Sequence, residues 1–330
     1  MNISGFFNTY PGMYIAQAFC HSIIAFIIVE RAMHLCRISN PLTRQRFGLL
    51  VILLPIVSFP VYQLINPERG SISFRMESLF DMNRWLNLEL WGAVPLGLFF
   101  MIIIIITASI FLFQEMIPVL KHSVESKRSG FDVEGSENNP VVSKAIEHLP
   151  VEKPDIFTFD DDEFILFSST GKNPAVFIST GIVEALSMEQ LGAVIAHEIA
   201  HIMRNKKPLL IIVFLFRVIM FFSPVVLLEF RRITQEEEKI CDDAAVLLTK
   251  NPAALSEALK KLYHRDESIN ILQLRRLSGM KDSLEEHSHN MQIGSRIMRL
   301  EKASLHHTDA NWAEFILTVF IIMGINYFVV

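Results

Sequence analysis

From Leu88 to Phe113 the chain is almost free of charge, and its centre reads MIIIIIT at Met101 to Thr107. A helix over this stretch is longer than the ~30 Å hydrocarbon core of a bilayer, so it is expected to cross a membrane with some tilt. Two earlier runs, Tyr14 to Val29 and Phe47 to Ile65, and a last one, Ala313 to Val330, share that character. Pro55 and Pro60 in the second run are kinks that a membrane helix tolerates. A hydrophobic share of 51% and a mean hydropathy of +0.36 agree that this is a membrane protein, with the lipid bilayer as its first partner. The net charge of -5, with no basic block interleaved with aromatics, gives no nucleic-acid partner. His21 in the first run reads as a packing residue rather than a metal ligand.

Basic residues set the orientation. Arg31, Arg37, Arg44 and Arg46 lie between the first and second runs without an acid before Phe47, whereas the next loop balances Arg69, Arg75 and Arg84 against Glu68, Glu77 and Asp81. The first loop is therefore expected to be cytoplasmic. Three crossings then place the segment from Gln114 onward on the cytoplasmic side. The first run lacks a basic lead and a small-x-small cleavage site, and is expected to be retained as an anchor.

Four parts follow: an N-terminal membrane domain with three transmembrane helices (1–121), a polar linker (122–139), a folded domain (140–311) and a C-terminal transmembrane helix (312–330). Within the folded domain, Ile156 to Phe159, Phe164 to Ser168 and Val176 to Thr180 are short β-rich runs separated by turn residues. They predict a small antiparallel sheet. Pro208 to Leu228 is apolar enough to be another span, but one crossing would carry everything after it to the opposite face. Basic residues flank both ends, Arg217 interrupts the middle, and Ser223-Pro224 follows. A re-entrant hairpin over 208–228, bent near Ser223-Pro224, is expected.

Between the sheet and that hairpin stands QLGAVIAHEIAHIMR, Gln190 to Arg204. Leu191, Val194, Ile195, Ile199 and Ile202 recur at helical spacing, which puts His197 and His201 one turn apart on one face with Glu198 beside them. This is HExxH, a hydrolytic zinc signature. By chance it arises in roughly one or two such chains per hundred, so the surroundings decide. Ser187 and Gln190 form a capping box ahead of this helix. Cys20, Cys36 and Cys241 are too few and too scattered for a disulfide framework or a cysteine zinc site, so a metal must be held by His and carboxylate.

A catalytic zinc needs a third protein ligand and an open position. Glu236, Glu237 and Glu238 fall on a predicted acidic helix, Arg231 to Leu248, and on their own read as a solvated face. Glu238 differs, because Asp242 follows it by one turn. The expected set is His197, His201 and Glu238 on one Zn2+ per chain, with Asp242 behind them fixing an imidazole tautomer. Glu198 would be the general base. His289 and Arg296 are candidate donors to the oxyanion, with a surface histidine and a structural arginine as the plainer readings.

Asn173 to Lys206, NPAVFISTGIVEALSMEQLGAVIAHEIAHIMRNK, resembles the HtpX and CAAX-prenyl-protease superfamily of membrane gluzincins. Phe221 to Leu248 is similar to the BlaR/MecR-type membrane peptidases, whose third ligand lies in a Glu-x-x-Cys-Asp pattern matched by Glu238, Cys241 and Asp242. The resemblance spans roughly Pro154 to Leu300. It implies a mainly α membrane protein carrying an α+β gluzincin (zincin-like) metallopeptidase domain, with His197, His201 and Glu238 as ligands and Glu198 as base. His289 and Arg296 fall where such proteins bind substrate or stabilise the oxyanion, although Asn290 replaces a usual proline. The implied activity is that of a zinc metalloendopeptidase in a bacterial inner (plasma) membrane, its catalytic domain cytoplasmic. Its partner would be a protein or peptide substrate, such as a membrane protein or membrane-associated regulator. That substrate would pair with an edge strand, expected at Val176 to Thr180. The competing class is a non-catalytic zinc-containing membrane scaffold or signalling component.

Overall fold

The structure, a computed structural model, describes residues 6–7, 9–117, 136–137, 139–169, 173–204, 209–262, 293–302 and 311–330. The chain divides into two compact units. One comprises Met1–Gly130, Leu209–Glu236 and Thr308–Val330, the other Phe131–Pro208 and Glu237–His307.

The first unit is helical. Helices α1 (Tyr10–Leu35) and α2 (Pro41–Ile65) are long and apolar enough to cross a membrane. Asn40 caps α2 by accepting from the amides of Leu42 and Thr43, and Pro41 takes the first helical position, where no N–H is needed. Short helices α3 (Ile72–Glu77) and α4 (Met82–Leu86) follow. The third long apolar helix starts later than its hydropathy suggests. Glu89–Leu90 (β1) pairs with Val94–Pro95 (β2), and positive φ at Trp91 (53°) and Gly92 (69°) makes the turn between them. The helical stretch capable of spanning is Leu96–Gln114, beginning with α5 (Leu96–Phe111).

His21 is completely buried, with Nδ1 2.8 Å from Ser58 Oγ and Nε2 3.2 Å from the Val329 carbonyl, which satisfies it as a packing residue. Arg69 is also completely buried. It donates to Gln17 Oε1 and to the carbonyls of Tyr327 and Asn326.

The second unit builds a sheet against a helical core. Ser136–Glu137 (β3) leads to α6 (Pro140–Ile146), then β4 (Asp155–Phe159), β5 (Leu166–Ser169) and β6 (Ala175–Ser179). Strand order is β3-β4-β6-β5. Two antiparallel pairs flank a parallel one, β4 with β6, so the sheet is mixed where an all-antiparallel one was expected. It also places β6 inside the sheet, so the expected edge strand at Val176 to Thr180 is not an edge. Both its neighbours are filled, by β4 and β5. Alternation alone cannot tell an inner strand from an outer one, since the residues of β6 read the same in either place.

Helix α7 (Thr180–Ala185) turns the chain into α8 (Met188–Arg204). Ser187 Oγ accepts from the Gln190 amide at 3.3 Å while Gln190 Oε1 accepts from the Ser187 amide at 3.1 Å, the reciprocal bonds of a capping box. Leu191, Ile195 and Ile199 form the inner stripe of α8 and are almost wholly buried, packed with Val142, Ile178, Ile182 and Leu255. Gly192 sits where the α6 backbone passes: a Cβ there would lie 2.8 Å from the Ala145 carbonyl oxygen.

The apolar segment after α8 is two helices. α9 (Leu209–Ile219) ends at a turn over 220–223, and α10 (Pro224–Thr249) begins at Pro224. Arg217 stabilises the break. Its guanidinium is completely buried, lies 4.6 Å from the Phe111 ring and donates to the Met220 carbonyl at 3.3 Å. α10 stops at Thr249, with Lys250 left-handed (φ 54°). Helices α11 (252–262), α12 (293–301) and α13 (Trp312–Tyr327) complete the described chain.

Candidate metal centre

The apolar stripe that fixes α8 in the core decides where its histidines point. With Leu191, Ile195 and Ile199 turned inward, His197 and His201 share the adjoining face, and the second half of α10 meets it. His197 Nε2 is 3.1 Å from His201 Nε2. Glu238 supplies the third corner, Oε2 lying 3.4 Å from His197 Nε2 and Oε1 3.4 Å from His201 Nε2. Three donors each 2.0–2.1 Å from one tetrahedral ion stand about 3.3 Å from one another, so these separations fit a shared zinc. Cys241 and Asp242 are not in the group whose ligating atoms lie within 4.8 Å of one another.

Behind the three donors is a layer of charge. Asp242 is completely buried on α10, its Oδ1 3.1 Å from His197 Nδ1. The approach is close but bent away from a linear hydrogen bond. Arg296 on α12 closes the layer: Nε and Nη2 donate to the two oxygens of Asp242 at 2.8 and 2.7 Å, while Nη1 lies 3.0 Å from Glu238 Oε2. One guanidinium therefore orients both the carboxylate behind His197 and the carboxylate aimed at the metal position. The second expected oxyanion donor, His289, lies outside the described residues.

Glu198, half-buried, follows His197 on α8. Among the described residues no side chain hydrogen-bonds to its carboxylate.

The EEE run is not a solvated face. Glu236 and Glu237 are buried, Glu236 3.2 Å from Arg44 Nε and Glu237 accepting from Arg204 Nη2 at 2.7 Å. The Glu237 bond ties α10 to the end of α8 just beyond His201. A second unforeseen contact is Cys241 Sγ, 3.4 Å from His201 Nδ1.

Electrostatics follow from this packing. Burial alone pushes the His197 imidazole down, but Asp242 and Glu238 override it and raise the ring to about 9 in the metal-free site. Burial also works against the Asp242 carboxylate, yet Arg296 and His197 hold it well below the usual range, and Glu238 is lowered by the same partners. His201 is pushed down by burial and by His197 beside it.

A metal must displace the proton on His197. Zinc affinity should thus rise by about tenfold per pH unit up to about pH 9, where His197 loses its proton unaided. In the metal-free protein the sign is opposite. The His197 contribution to stability is complete below 6.5 and is lost as pH rises through about 9. Melting of the chelated protein should accordingly fall across that window, with the trend flattened in His197→Gln.

A helix bearing HExxH, a second helix meeting it with Glu238, and apolar helices able to cross a bilayer define a membrane metallopeptidase. Residues 90–300 match the family described as BlaR1 peptidase M56, and the chain belongs to that family. It is also similar to a relative described as "Protease HtpX homolog" from Leuconostoc citreum (strain KM20). That relative is 24% identical over 266 residues, which cover 64% of this chain and 85% of the relative.

Proposed function

We propose that the protein is a zinc metalloendopeptidase that cuts protein substrates at the membrane surface, with one Zn2+ held by His197, His201 and Glu238. The convergence of these three donors at tetrahedral spacing carries the reading. Bound there, the ion would supply a water whose pKa is lowered toward 7 and would polarise the scissile carbonyl. Glu198, one residue from a ligand and not engaged by a described hydrogen bond, takes the water proton and returns it to the leaving amine. Asp242 keeps the proton of His197 on Nδ1, so that Nε2 presents its lone pair. Arg296 is proposed as a positioning residue, since its donors engage Asp242 and Glu238. His289 is left as the proposed donor to the oxyanion.

The outer edge of β5, Leu166–Ser169, is the proposed place for an extended substrate strand, because β5 ends the sheet order on the side away from β3. The basic loop before Phe47 supports a cytoplasmic catalytic domain in a multi-pass protein of a bacterial inner membrane. The 11-residue α9, about 16 Å long, is too short to cross a bilayer, which supports a re-entrant hairpin.

The test is cleavage of an unfolded protein by the purified full chain in micelles. Removal of zinc with a chelator is expected to stop cleavage and zinc to restore it. Cleavage that survives complete removal of metal would exclude the reading.

A further inference from the structure

The two imidazoles of the metal centre are backed by different chemistry. Nδ1 of His197 faces the Asp242 carboxylate at 3.1 Å, and that carboxylate is gripped by Arg296. Nδ1 of His201 faces sulfur: Cys241 Sγ lies 3.4 Å away, and Cys241 is completely buried. The Nε2 of His201 is the atom that converges with His197 and Glu238. A ring nitrogen that ligates a metal carries no proton, so the proton of the neutral ring must sit on Nδ1, directed at the sulfur. Cys241 does not belong to the group of converging ligating atoms, which places its sulfur behind the ring rather than at the metal.

We infer that Cys241 is the positioning residue for His201: its sulfur accepts the Nδ1–H and holds the ring with Nε2 turned toward zinc. This rests on the zinc site proposed above. It assigns the middle of the Glu238-x-x-Cys241-Asp242 string a physical task. Successive residues Cys241 and Asp242 lie on adjoining sides of α10, so one helix turn backs both histidines while Glu238, a turn earlier, supplies the third ligand. The two rings are not held equally. A thiol is a weak acceptor beside an arginine-clamped carboxylate, which makes His201 the looser ligand.

The test is competition for zinc between a chromogenic chelator and the purified full chain, comparing wild type with Cys241→Ser and Cys241→Ala. Loss of an outer partner weakens metal binding by about 10–100-fold, so Cys241→Ala should retain zinc at least about tenfold more weakly than wild type. Cys241→Ser keeps an acceptor on Cβ and should stay within about threefold of wild type. Cys241→Val fills the volume without an acceptor and should behave as alanine does. It carries the comparison if the alanine variant does not fold. Equal affinity in wild type and the acceptor-free variants would overturn the assignment. So would an equal loss in Cys241→Ser and Cys241→Ala, which would mark a packing role. A wild-type protein that takes up no zinc would overturn the metal reading itself, and is recognised before any variant is compared.

Discussion

Glu198→Gln should reduce peptide cleavage by at least about 10²–10⁴-fold, the contribution of a positioned general base, while zinc content stays at the wild-type level. Glutamine has nearly the shape of glutamate but cannot take a proton from water. Glu198 lies outside the ligand group, which comprises His197, His201 and Glu238. The substitution therefore separates chemistry from metal binding. Metal analysis and a cleavage assay on the same preparation check both halves. Unchanged cleavage would show that the proton is handled elsewhere, and joint loss of zinc and activity would place Glu198 among the structural supports.

The second large effect is expected from Glu238→Ala. Glu238 is the only carboxylate in the converging group among the described residues, and its oxygens stand 3.4 Å from the Nε2 atoms of both histidines. Removing it leaves two imidazoles, so zinc affinity should fall by more than the 10–100-fold that an outer partner is worth, and cleavage should fall with it. The variant also removes one anion from beside Arg296, whose Nε and Nη2 remain bonded to Asp242. The buried guanidinium thus keeps a partner, and the fold should survive. Chelator competition together with a melting curve distinguishes loss of metal from loss of structure.

Much of this centre was readable in the residues because it is built from short periods. Two histidines four apart on an apolar stripe, and a glutamate four before an aspartate, fix directions on their own helices. Ser187 and Gln190 announced the start of α8 in the same way, through a spacing of three that the backbone of a first turn requires. The β-runs expected at Ile156 to Phe159 and Val176 to Thr180 fall on β4 and β6, but the parallel pairing of these strands was not legible, since strand order depends on a crossover that periodicity does not encode. The edge assignment failed for that reason.

Long-range polar partners were equally hidden. Nothing local in Glu237 says that it will be buried against Arg204, thirty-three residues away, and an EEE run looks solvated until a second helix covers it. Arg296 carried the opposite ambiguity. Its side chain turns toward Asp242 and Glu238, a choice set by α12 meeting α10 rather than by the residues around it. In the first unit, the burial of Arg69 among carbonyls at the far end of the chain is likewise a product of tertiary structure alone.

Zinc is proposed to be held by two imidazoles and one carboxylate, with the thiol of Cys241 outside the coordination sphere. X-ray absorption at the zinc edge of the purified protein reads this ligand set. The expected spectrum shows nitrogen and oxygen neighbours at about 2.0–2.1 Å, including two imidazole rings, and no sulfur. A scatterer at about 2.3 Å, the zinc–sulfur distance, would put Cys241 on the metal and rule this ligand set out.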